Sequence, residues 1–213
     1  MSAYWPELLS LMAIFSFAII SPGADLAMVM RQSIVNGRRA AILTSIGIGC
    51  ALLFHVTYTV LGLGLLISQS VYAFNILKWC GVAYLTYIGI QSLRARPPTM
   101  ETAPVPTEAP AQNQSALKAF LIGFATNALN PKPVFFFLSI FSTVVHIETP
   151  AVVKFFYGCV MATALIAWFV GVSIFMTTPS VRQGFNRIGV WINRVGGLVF
   201  LGLGLKLATE KAG

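Results

Sequence analysis

Ser21-Pro22-Gly23-Ala24-Asp25 interrupts the apolar run from Leu8 to Met30. That run is long enough for a bilayer, which a helix crosses with about 20 apolar residues. Proline lacks an N–H and its ring clashes with the preceding turn, so the helix breaks at Pro22-Gly23. Asp25 then places a carboxylate within the break. A charge near the bilayer centre costs about 2.5–3.5 kcal/mol on insertion scales and marks a functional position by default. Asn130-Pro131-Lys132-Pro133 repeats the pattern inside a later apolar run. Two broken apolar segments in corresponding places of two halves point to a transporter binding site.

The rest of the chain agrees with a membrane setting. Of 213 residues, 57% are hydrophobic and only 9% charged, against about 25% charged in a soluble domain. Six apolar segments are long enough to span, at roughly 8–30, 41–67, 74–93, 116–145, 151–176 and 191–208. The fold class is therefore all-α: a polytopic membrane protein of six transmembrane helices, the first and fourth broken. The fourth can be one broken span or a span plus a re-entrant piece. Its main partner is the lipid bilayer.

The formal net charge of +8 reads as topology rather than nucleic-acid binding. Arg31, Arg38, Arg39, Arg94, Arg96, Lys118, Arg182, Arg187 and Arg194 fall on one side of the expected membrane. The opposite short connections, 68–73 and 146–150, hold no Lys or Arg. The basic side is cytoplasmic by the positive-inside rule, so six spans leave both termini external. Residues 1–7 also lack Lys and Arg. They are no basic n-region of a secretory signal, and the first run is expected to stay as a membrane helix.

Residues 97–115 are rich in proline and carry Glu101 and Glu108, which predicts a flexible cytoplasmic linker. It separates a first three-helix unit, 1–96, from a second, 116–213. Pro22 to Pro131 is 109 residues, and Gly81 to Gly196 is 115. Gly81-x7-Gly89 in the third span matches Gly196-x7-Gly204 in the sixth. Two landmarks with nearly one period predict a repeat. Three spans per unit is odd, so the repeats are inverted, with a site between them at mid-membrane. Gly37, Ala41, Ser45 and Gly49 recur every four residues along one helix face. Such a stripe lets helices approach closely, either within one chain or against a second copy as a homodimer.

At these residues the chain resembles the LysE/RhtB amino-acid exporters of bacteria. The likeness rests on Ser21-Pro22-Gly23 followed by Asp25, on Asn36-Gly37-Arg38-Arg39-Ala40, on Leu77 to Gly89, and on Asn130-Pro131-Lys132. The resemblance implies a bacterial inner-membrane protein that exports amino acids or related metabolites, driven by the proton gradient. The chain departs from the family pattern at Ala24, where proline is usual, and at Pro133, where a small residue is usual.

The candidate substrate- and ion-binding residues are Ser21, Pro22, Gly23, Asp25, His55, Asn127, Asn130 and Lys132. Asp25 is the one acid inside an expected span; Glu7, Glu101, Glu108, Glu148 and Glu210 fall in loops or near ends. In a dry site it could exchange a proton or pair with the α-ammonium of an amino acid. The plainer alternative is a cap on the helix that resumes after Gly23. Lys132 could hold a carboxylate together with N–H groups freed by the break, or simply snorkel or pair with Asp25. Asn127 and Asn130 share a helix face with Gly123 and either meet substrate or bond helix to helix. His55 could join a proton path, although a lone intramembrane histidine is more often a packed core residue. Tyr84 and Tyr87 read as core.

Other functions fit the sequence less well. There is no GxxxxGK[ST] loop, hence no ATP site. The alternative transporter reading is a cation or heavy-metal exporter, but one Asp, one His and the scattered Cys50, Cys80 and Cys159 make a poor cage. No metal site and no cofactor is expected. An enzyme is not expected either, for want of a CxxC pair or two apposed titratable groups.

Overall fold

The computed structural model describes residues 4–21, 23–69, 71–94, 114–146, 148–175 and 179–209. They are helical: α1 (Trp5–Ile20), α2 (Ala24–Val35), α3 (Gly37–Gln69), α4 (Val71–Arg94), α5 (Ala116–Ala128), α6 (Pro131–Thr143), α7 (Ala151–Phe175) and α8 (Pro179–Thr209). The described residues of the six apolar segments fall mostly on helix. By length and composition, Gly37–Gly62, Ala151–Phe175 and Gly189–Thr209 can each cross a membrane. So can α1 and α2 together, which meet at a bend of 54°. α4 carries Asn75, Lys78, Gln91 and Arg94 and is less apolar.

Both breaks are set by local sequence. The residue before a proline is driven out of the helical region. Ser21 ends α1 at φ −60°, ψ 126°, and Asn130 precedes α6 at φ −81°, ψ 121°. α6 then begins on Pro131, where the missing N–H costs nothing. The α2–α3 corner turns at Gly37, whose φ of +82° suits glycine. Of the expected linker, only Gln114 and Ser115 are among the described residues; the Ser115 hydroxyl caps α5 by accepting the Lys118 N–H at 3.2 Å.

α3 is the central helix. It packs chiefly on α5 and α7, and also on α2, while α4 packs along α8. The α3–α5 contact is backbone to backbone. A Cβ on Gly123 would run into the Thr44 carbonyl, and one on Gly47 into the Phe120 carbonyl. The Thr44 hydroxyl bonds the Ala119 carbonyl at 3.0 Å in the same seam. The stripe packs within the chain: Ala41 and Ser45 are fully buried, and Gly49 faces Ile166 of α7. Outside, Leu9, Leu61, Tyr72, Val152 and Leu205 are more than half exposed. So much bare apolar surface fits lipid rather than water.

Glu7 departs from the sequence expectation. It lies near the end of the first span as expected, in the first turn of α1, yet only 6% of it is exposed. Its carboxylate accepts from the Tyr157 hydroxyl at 2.9 Å, from the Thr149 hydroxyl at 3.0 Å and from the His146 N–H at 3.1 Å. The connection between α6 and α7 folds over it, which no local pattern at Glu7 announces. Hydrogen bonds to a charged group contribute about 1.5–3 kcal/mol, so Glu7→Ala should lower stability by about 2 kcal/mol. Thermal unfolding in detergent measures this, and Glu7→Gln, which keeps one acceptor oxygen, should lose less.

Candidate functional site

The two breaks face one another across a cavity of about 520 Å³ including its mouth. α1 contributes Phe15, Ala18 and Ile19 to its wall; the first break contributes Ser21 and Gly23; α2 contributes Ala24, Asp25 and Leu26. The end of α5 brings Asn127, the second break and α6 bring Asn130, Lys132, Pro133, Phe136 and Phe137, and α7 adds Leu165 and Phe169. Phe15, Phe136 and Phe137 form an apolar floor with ring centroids 5.5–6.2 Å apart. The space open to a water-sized group is only about 60 Å³, so a ligand as large as an amino acid needs the walls to part.

One pole of the cavity is rich in acceptors. The Asn127 amide donates to Asp25 Oδ2 at 2.9 Å, joining the two breaks. That bond fixes the amide orientation, because a carboxylate only accepts. It leaves Asp25 Oδ1 and Asn127 Oδ1 buried with no hydrogen-bond partner. Buried acceptors are rarely left bare, and two on residues bonded to each other call for a donor. Asp25 does not cap its own helix: α2 begins after Gly23 without a side-chain cap. The first N–H groups of α2 thus have no side-chain cap among the described residues.

The other pole is positive. The Lys132 ammonium lies 5.4 Å from the centroid of the Phe200 ring, as a cation over an aromatic face. It sits beside the start of α2, 3.7 Å from where a Cβ on Gly23 would stand. Among the described residues no carboxylate lies within 4 Å of it. The expected freed N–H groups around Lys132 are not there. Pro131 and Pro133 have none, and the Lys132 N–H is taken by Asn130 Oδ1 at 3.0 Å. The free N–H groups belong to α2 instead.

Ser21, Gly23, Asp25, Asn127, Asn130 and Lys132 thus surround one cavity, while Pro22 lies outside the described residues. His55 is fully buried and does not line the cavity; it stands behind Asn127. Tyr84 packs on Phe135 at 4.7 Å, and Tyr87 is exposed. Among the described residues no three His, Cys, Asp or Glu side chains come together. The sequence reading did not pick out Phe15, Phe136 and Phe137, because an apolar residue in an apolar helix carries no local mark of facing a cavity.

A threonine efflux protein of Escherichia coli is 29% identical over 195 residues, covering 91% of this chain and 93% of its own. A homoserine/homoserine lactone efflux protein of Salmonella typhimurium is 29% identical over 205 residues, covering 90% and 91%. An uncharacterized membrane protein of Escherichia coli, YahN, is 32% identical over 198 residues, covering 92% and 86%. No solved structure matches the chain. The LysE type translocator model matches residues 16–211, nearly the whole bundle and both breaks, and the chain belongs to that family.

Proposed function

We propose that this protein is a secondary transporter that exports amino acids, or closely related zwitterions, across the bacterial inner membrane in exchange for protons. The observation that carries the reading is the two-poled cavity. A zwitterion's ammonium would fill the gap before Asp25 Oδ1 and Asn127 Oδ1. Its carboxylate would meet the Lys132 ammonium and the uncapped N–H groups of α2, where the helix dipole favours an anion. The side chain would rest on Phe15, Phe136 and Phe137. The names of the relatives, threonine efflux and homoserine/homoserine lactone efflux, agree with a small polar amino acid.

The cycle follows from one carboxylate serving two cations. Asp25 holds the ammonium while the cavity faces the cytoplasm. After the amino acid leaves on the far side, a proton takes its place and neutralises the group for the return. The site would lie between two inverted three-helix halves, 1–96 and 116–213, with alternating access from movement of helices about it. A two-fold axis relating them would map α3 onto α7 and α4 onto α8. Those two pairs do pack on each other, and Gly89 meets Gly197 in the second. The basic loops set the cytoplasmic face and leave both termini outside.

Labelled amino acids offered one by one to everted membrane vesicles test the reading. Accumulation should appear for a small polar amino acid and vanish with a protonophore. No accumulation of any amino acid would overturn it. Lys132→Gln sharpens the test. Losing a charged hydrogen bond of about 1.5 kcal/mol or more should raise the half-saturating amino-acid concentration about tenfold. An ester or lactone of the same amino acid, which lacks the carboxylate, should be little affected.

A further inference from the structure

His55 of α3 is buried away from the cavity, yet both its ring nitrogens are bonded. Nε2 lies 3.1 Å from the Asn127 carbonyl, and Nδ1 lies 2.6 Å from the Tyr58 hydroxyl. A carbonyl only accepts, so Nε2 bears the proton and donates. In a neutral imidazole Nδ1 then accepts, and Tyr58 donates to it. The ring also stacks on Phe137 of the cavity floor at 6.2 Å and 13°. The Asn127 carbonyl is in the last turn of α5, where carbonyls run out of helical partners. Besides His55 it takes the Asn130 N–H, at 3.0 Å. The residue held by its carbonyl is the one whose amide reaches Asp25.

We propose that His55 is a positioning residue: its Nε2–H clamps the backbone at the α5–α6 break and so aims the Asn127 amide at Asp25, while Tyr58 fixes the ring in the tautomer that can do this. The proposal rests on the reading of the cavity as an amino-acid site. It gives α3 a part in the site although it lends the cavity wall only Leu52. It also gives His55 a role other than proton carrier, because its donor faces a carbonyl that cannot accept and pass on a proton.

Glutamine and asparagine separate the possibilities. Gln can bring its amide N–H to the position of Nε2, whereas Asn reaches only that of Nδ1. The full-length variants H55Q, H55N, H55F and Y58F are assayed with labelled threonine and homoserine in everted vesicles. Backbone hydrogen exchange is followed in the same proteins after reconstitution. Loss of one hydrogen bond at the break should raise the half-saturating concentration about tenfold in H55N and H55F, with the maximal rate largely kept. H55Q should stay near wild type, and Y58F should fall between. Exchange at Leu129 and Asn130 should quicken in H55N and H55F but not in H55Q. An H55Q variant as inactive as H55F would overturn the proposal, since the imidazole itself would then be needed. Unchanged exchange at the break in both H55N and H55F would overturn it too. If the wild type moves neither amino acid, the transport reading fails on that count. The exchange data still decide the clamp: faster exchange in H55N and H55F supports it, and no change rejects it.

Discussion

Export by Asp25→Asn should fall at least about 30-fold while the protein still reaches the membrane at normal levels. Truncating one partner of a buried charge pair costs about 2–5 kcal/mol, and the lower figure alone is about 30-fold. The variant is informative because it alters little else. Asn is almost the size of Asp, and its side-chain oxygen can accept the bond that the Asn127 amide now gives to Asp25. Asp25 caps nothing, so no helix start is lost. What disappears is the charge that would hold an ammonium on one side of the membrane and a proton on the other. Asp25→Glu should be intermediate, since the charge survives but moves by one methylene. Uptake of labelled amino acid into everted vesicles, normalised to protein level, reads the effect. Near-normal uptake by Asp25→Asn would remove Asp25 from the coupling and leave Lys132 as the only charged group on the cavity wall to explain it.

Gly123→Ala should be more destabilising than any of the polar changes. Its new methyl group would collide with the Thr44 carbonyl. A flexible side chain could swing away, but a backbone carbonyl in mid-helix cannot. The helices must separate, and the bond from the Thr44 hydroxyl to the Ala119 carbonyl goes with them. Overpacking a tight core typically costs about 1–3 kcal/mol, and backbone against backbone belongs at or above the top of that range. Denaturation in detergent should show a loss of about 3 kcal/mol or more, or a failure to accumulate folded protein. Gly171→Ala is the control: a Cβ there meets nothing within 4 Å. That change should be neutral or gain up to about 1 kcal/mol from helix propensity. Equal behaviour of the two variants would mean that α3 and α5 do not touch in this way.

The helices and their breaks were legible because bilayer helices are written in a simple code. Apolar length marks the helix, and Pro22-Gly23 and Pro131-Lys132-Pro133 mark its interruption. Asp25, Asn127, Asn130 and Lys132 stood out as polar groups where polarity is expensive. Other features depend on which distant segment lands where. Nothing near Glu7 says that Thr149 and Tyr157 will close over it. The four-residue stripe drew attention to Gly49, whereas α3 meets α5 backbone to backbone at Thr44 and Gly47, which lie outside the stripe. The N–H groups expected around Lys132 were a misreading that sequence could have prevented, since two of the three residues in Pro131-Lys132-Pro133 have no N–H to give. His55 was recognised as a buried histidine, but its bond to a carbonyl 72 residues away is a fact of tertiary structure.

The Glu7 cluster also bears on which way the cavity can open. α1 meets α7 through side chains: the Tyr157 hydroxyl and the Glu7 carboxylate, with the Thr149 hydroxyl beside them. When such bonds part, water takes up each donor and acceptor, so the net loss per bond to the carboxylate is about 1.5–3 kcal/mol. The α3–α5 seam differs: besides the Thr44–Ala119 and His55–Asn127 bonds, what separates there is close-packed backbone, whose contacts no solvent bond replaces. The two contacts therefore differ in reversibility. Swinging α1 away from α7 breaks a few bonds that water can replace, whereas parting α5 from α3 opens a close-packed seam. Any rocking about this cavity would have to carry α3 and α5 as one body and part the chain at α1 and α7, with Glu7 surrendering its partners to water and recovering them once per cycle.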